Sequence, residues 1–180
     1  MKAIISLLLA IIPSTASSHD LAEYPKSICT ESDLTLKIVD VSYCVPKNTL
    51  DKVDFLGLNS HTVTISNGED ELTIGLNPPN IAISNLHKKF NVSVHDFFLG
   101  LYRNTLKTEK LALIKQAFDI NESNKMKVYK KGNLFAFTIT GSNIDYDRVY
   151  LNKIGSDIIY QITGEYDDKQ LLEILARITY

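Results

Sequence analysis

Hydrophobic and polar positions repeat along the chain with two periods, one of strands and one of helices. From Leu34 to Val45 (LTLKIVDVSYCV) β-branched and aromatic residues predominate, and the alternation changes phase once. Leu34, Leu36 and Ile38 share one face, whereas Val39, Val41, Tyr43 and Val45 share the other. A slip of this kind predicts a bulge or two short strands, ended by Pro46. Residues 47–60 carry no clean period. His61 to Ser66 and Glu71 to Leu76 both alternate, and Asn67-Gly68 between them predicts a hairpin. Asn77-Pro78-Pro79 ends the second of these strands.

The period then lengthens. Ser84 is placed to cap a short helix reaching Phe90. Ser93 is placed to cap a longer one from Val94 to about Leu106, with Asp96 in its first turn where the helix dipole favours an acid. Val94, Phe97, Phe98, Leu101 and Tyr102 give this helix a wide apolar face. Thr108 is the candidate cap of a further helix bearing Leu111, Ile114 and Phe118. Strand patterns return at 126–129, 134–140, 148–154 and 157–163, with turns at Lys131-Gly132-Asn133 and Gly155-Ser156. Asp167 followed by Gln170 forms a capping box ahead of a C-terminal helix with Leu171, Ile174, Leu175 and Ile178 as its stripe.

Strands, helices, strands and a last helix follow one another in separate runs with hairpin-length links. That order predicts an α+β sandwich: an antiparallel sheet of about six or seven strands packed with about three helices. Nothing in residues 19–180 marks a linker or an internal repeat, so they are expected to form a single domain.

Residues 1–18 are different in kind. Met1-Lys2 is a basic start, Ala3 to Ile12 is apolar apart from Ser6, Pro13 breaks the run, and 14–18 are small residues. This is the pattern of a secretory signal peptide, with cleavage expected after Ala16 or Ser18. The apolar run is shorter than the roughly 20 residues a membrane helix needs. Removing the leader takes away one lysine and no acid, moving the formal charge from −2 to −3. No transmembrane anchor follows, and the expected compartment is the bacterial periplasm, with the extracellular medium as the alternative.

Composition narrows the classes of partner. With 19 basic and 21 acidic residues the chain lacks the basic excess of a nucleic-acid binder. Cys29 and Cys44 are the only cysteines and are expected to form a disulfide, as oxidising compartments permit. Closing that loop stabilises a fold by about 3 kcal/mol on the chain-entropy model.

Candidate chemistry is sparse. His19, His61, His87 and His95 form no HExxH, the glycines form no phosphate cradle, and no GxSxG occurs. Asp145-Tyr146-Asp147 lacks the regular oxygen array of a calcium loop. No catalytic residue, metal or cofactor is therefore expected. Lys125, Lys127, Lys130 and Lys131 read as guards of a sheet edge. Acidic clusters are more suggestive: Glu69-Asp70-Glu71, then Asp145-Tyr146-Asp147, then Glu165-Tyr166-Asp167-Asp168. In the last two, tyrosine stands beside carboxylates, a pairing suited to recognising a basic protein surface. The expected function is a small exported, non-enzymatic binding or inhibitor protein of the immunity-protein kind. Its candidate contact residues are Asp145, Tyr146, Asp147, Glu165, Tyr166, Asp167 and Asp168. The alternatives are a periplasmic carrier of a small molecule or lipid, using a cleft beside Phe97 and Phe98, and a secreted hydrolase.

Overall fold

A computed structural model describes residues 20–57, 61–67 and 70–180. The signal-peptide pattern and the turn residues Gly68 and Glu69 lie outside the described residues. The first third of the chain forms β1 (Ala22–Glu23), β2 (Leu34–Ile38), β3 (Val41–Val45), β4 (Lys52–Gly57), β5 (His61–Asn67) and β6 (Asp70–Asn77). The middle forms α1 (Pro79–Ala82), α2 (Leu86–Lys89), α3 (Val94–Arg103) and α4 (Leu111–Ala117). The last third forms β7 (Asn124–Lys131), β8 (Leu134–Gly141), β9 (Asp147–Lys153), β10 (Ile159–Gly164), α5 (Asp168–Ala176) and β11 (Ile178–Thr179).

Eight strands make one sheet in the order β1-β7-β8-β9-β10-β6-β5-β4, and β11-β3-β2 make a second. All pairings are antiparallel except β1 with β7. The larger sheet has a core on each face. Phe135, Phe137, Ile139, Tyr150 and Ile159 point toward Val94, Phe97, Phe98 and Leu101 of α3. Leu134, Ala136, Val149, Leu151, Tyr160 and Ile162 point the other way, toward β3 and the inner side of α5. This is why β8 reads as a continuous apolar run: both of its faces are covered.

The phase slip at Ile38-Val39 is a turn. Ile38 pairs with Val41, and Val39 between them is exposed with φ at +58°. A β-branched residue in that region is strained. The Tyr160 hydroxyl donates to the Asp40 carboxylate and Lys153 Nζ lies 3.8 Å from it, so this turn is tied to the larger sheet. Cys29 and Cys44 are joined as a disulfide with their Cα atoms 5.8 Å apart. The bridge fastens the N-terminal arm to β3, and Ile28 N also donates to Ala176 O at the end of α5 (3.2 Å).

The expectation of six or seven strands is too low, since eleven are present among the described residues. β1 and β11 have two residues each, too few to show a period. β4 forms where no period is visible, because it is an edge strand whose Phe55 and Leu56 stay 72% and 65% exposed. The stretch 34–45 counts twice. At the C-terminus α5 stops at Ala176, and Ile178 belongs to β11, paired with Tyr43, rather than to the helical stripe. Asn85, not Ser84, precedes α2, and Lys110 precedes α4, with Thr108 Oγ1 accepting from Lys110 N (3.1 Å). Ser93 and Asp167 are caps as expected: each side chain accepts from the backbone N–H three residues on.

Candidate functional site

Two loops predicted to carry acids and tyrosines meet at one end of the larger sheet. The register that pairs Asp147 with Gly164 makes the segment before β9 and the segment after β10 leave the sheet side by side. Asp147 is buried, and its carboxylate accepts from Gly141 N (3.4 Å) and Tyr166 N (3.0 Å). One side chain thereby ties the end of β8, the start of β9 and the link into α5. Buried Asn124 holds the neighbouring loop: its Oδ1 accepts from Asn143 N (3.2 Å).

Between these segments lies a cavity of about 460 Å³ lined by Gly141, Ile144, Asp145, Asp147, Glu165, Tyr166 and Asp167. A second cavity, a groove of about 480 Å³, adjoins it. Tyr43, Val45, Pro46 and Thr49 form one side of the groove, Ile65, Glu71 and Leu72 another, and Gln170, Glu173 and Ile174 of α5 with Arg177 at its C-cap a third. Glu165 and Tyr166 line both cavities, so they form the wall between them.

Local sequence explains the position of that wall. A Cβ on Gly164 would lie 2.3 Å from the Tyr166 hydroxyl oxygen, so only glycine lets the tyrosine ring fold back over the strand end. The Tyr166 hydroxyl donates to Thr163 O (3.3 Å). Burial, reinforced by the Asp147 carboxylate, pushes the Tyr166 phenol up to about 12. Tyr43 is also pushed up to about 12, by burial first, with Arg177 opposing and Glu173 and Tyr166 reinforcing. Both rings are therefore neutral, and the fixed charges of the groove are carboxylates and one guanidinium. That guanidinium is engaged, with Arg177 Nη2 3.2 Å from Glu173 Oε1 one helical turn away.

The seven predicted contact residues separate by role. Asp147 is an internal clamp. Asp167 caps α5 by accepting from Gln170 N (2.7 Å), while Gln170 Oε1 accepts from Asp167 N (2.9 Å). Asp168 is exposed and 3.4 Å from Lys127. Asp145, Tyr146 and Glu165 are exposed, and Tyr166 is half-buried. Sequence reasoning missed Tyr43, Glu173 and Arg177, and singled out Glu71 only as part of a hairpin-tip acidic cluster. The Glu173 to Arg177 spacing of four signalled an ion pair on one helix face, but only tertiary packing places that face beside Tyr43.

Other candidates lie elsewhere. His87 and His95 are buried in α2 and α3. Lys130 and Lys131 lie over the Phe135 and Tyr24 rings, each 5.6 Å from the centroid. Phe97 and Phe98 are fully buried against Phe118, Phe137 and Tyr150, so the face a carrier would use there is filled by aromatic packing. Among the described residues no group of three or more His, Cys, Asp or Glu is arranged to hold a metal, and no helix is long and apolar enough to cross a membrane. No protein-family model, curated protein or solved structure matches the chain.

Proposed function

We propose that this is an exported, non-enzymatic protein that binds and inhibits a basic protein partner, in the manner of an immunity protein, in the bacterial periplasm or outside the cell. The observation that carries the reading is the convergence of Asp145, Glu165 and Tyr166 around one cavity, with exposed Tyr146 next to Asp145 in the chain. Exposed carboxylates there steer and orient a cationic surface, and tyrosine adds contact area at low entropic cost. The disulfide suits an oxidising compartment.

The test separates contact from fold. Asp145→Asn with Glu165→Gln removes two exposed charges and leaves the Asp147 clamp and the Asp167 cap in place. The chain and this double variant are purified from the native host and weighed intact by native mass spectrometry. A protein that accompanies the wild type and is lost from the folded variant supports the reading. A small ligand retained by both, with no accompanying protein, overturns it in favour of a carrier.

A further inference from the structure

We propose that the groove under Tyr166 receives a lysine or arginine side chain from an extended segment of the partner. This rests on reading the face as a protein-binding surface and names what enters it.

The groove lies where the smaller sheet and α5 stop short of covering β5 and β6. Its floor is apolar, built by Val45, Ile65, Leu72 and Ile174. Such a floor suits the methylene stem of a long basic side chain, which buries its carbons and keeps its charged head in a polar setting. Tyr43 and Tyr166 line the groove, and a cation over a tyrosine ring is attracted by the ring quadrupole. Both phenols stay neutral at physiological pH, so they act as rings and hydroxyls. Glu165 and Glu71 stand exposed at the mouth. Glu71 also acts on Lys52, whose amino group is held by Asp54 at 2.7 Å. Glu165 has no ion-pair partner among the described residues. The single guanidinium of the lining is held by Glu173. An anion entering here would meet two carboxylates and a cation already paired, whereas a cation finds the complementary charge.

The size agrees. About 480 Å³ falls within the range of small-ligand sites and exceeds what one side chain fills, leaving room for the adjoining backbone. The Tyr166 wall is built in advance by the glycine at 164 and the Asp147 clamp, so little ordering is left to binding.

The experiment uses the disulfide-bonded chain without its leader, isotopically labelled, and acetyl-Ser-Arg-Ser-amide as probe. Chemical shifts are followed up to about 10 mM, the range of a single weak anchor. Saturable shifts at Tyr43, Ile65, Tyr166 and Ile174 are expected. The peptide with citrulline, which keeps the shape of arginine without its charge, should bind at least about fivefold more weakly. Glu165→Gln should weaken the arginine peptide similarly. Gly164→Ala changes no charge but displaces the Tyr166 ring, and should weaken it while the amide spectrum stays that of a folded protein. Equal binding of arginine and citrulline, or absence of saturable groove shifts, overturns the proposal. Saturable shifts confined to Asp145 and Tyr146 overturn the groove while leaving the acidic face standing, and the partner test above addresses that face separately.

Discussion

The two halves of the eight-stranded sheet are buried in different ways. β7, β8, β9 and β10 are sealed on one face by the aromatic cluster under α3 and on the other by β3 and α5. β4, β5 and β6 bury one face through Val63, Ile65, Leu72 and Ile74, while Thr64 and Thr73 pair hydroxyl to hydroxyl (3.1 Å) on the other. The doubly covered half holds most of the fully buried strand side chains. The candidate site lies at the border, where the covering layer ends and the inner face of β5 and β6 becomes the side of a groove. A rigid half thus positions loops at the margin of an open one, the usual division between scaffold and recognition surface.

The largest effect that tests this contrast is removal of an aromatic from the sealed half. Phe98 is fully buried, with its ring centre 5.0 Å from those of Phe137 and Tyr150. Phe98→Ala should lower stability by about 3–5 kcal/mol in a urea or guanidinium titration. Thr64→Val, on the solvated face of the other half, should stay within about 0.5 kcal/mol of wild type. Similar losses in the two variants would erase the distinction between the halves.

Next in size is the disulfide. Reducing the intact chain should cost about 3 kcal/mol, because the unfolded state loses the closed loop between Cys29 and Cys44. The loss should be uneven. Cys44 lies between Tyr43 and Val45 of the groove, so hydrogen exchange should speed there and at the end of α5 before it speeds in α3. Uniform acceleration would show that the two regions open as one unit.

A smaller effect separates fold from contact inside the candidate site. Asp167→Ala removes the side-chain half of the capping box, leaves the bond from its own backbone N–H to Gln170 Oε1, and should cost about 1 kcal/mol by thermal or chemical denaturation. Glu165→Gln, with no side-chain hydrogen bond to lose among the described residues, should leave stability within about 0.5 kcal/mol of wild type.

What the sequence makes legible follows the same division. Local chemistry was readable: the caps at Ser93 and Asp167, the slip at Ile38-Val39, and the β5–β6 and β8–β10 strands all depend on residues close in the chain. The convergence of the two acidic loops was not, because it depends on the Asp147 to Gly164 register across β9 and β10. Nor was the groove, whose lining joins Tyr43, Glu71, Glu165 and Arg177 from four separated segments. β4 stayed hidden because an edge strand with exposed Phe55 and Leu56 has no burial period to display. Asp147 reads as a contact residue in the sequence because a carboxylate in a loop looks the same whether it faces a partner or a backbone N–H.

The last effect appears only as pH falls, and it belongs to the sealed half. His95 on α3 is buried edge-on to Phe135, with ring centres 4.3 Å apart and Nδ1 without a hydrogen-bond partner. Burial holds its pKa below the ordinary histidine value, with Arg103 and Lys130 lowering it further and Asp96 opposing. The unfolded chain therefore takes up the proton first. Well above pH 6.5 both states are neutral at this position and its contribution to stability is fully present. As pH falls below that, the unfolded state binds the proton and stability declines until the folded pKa is passed. Melting temperature should drop as pH falls through the ordinary histidine range, about 6.5. His95→Leu, which cannot titrate, should flatten that decline. An unchanged slope in the variant would assign the acid sensitivity to groups outside the sealed half.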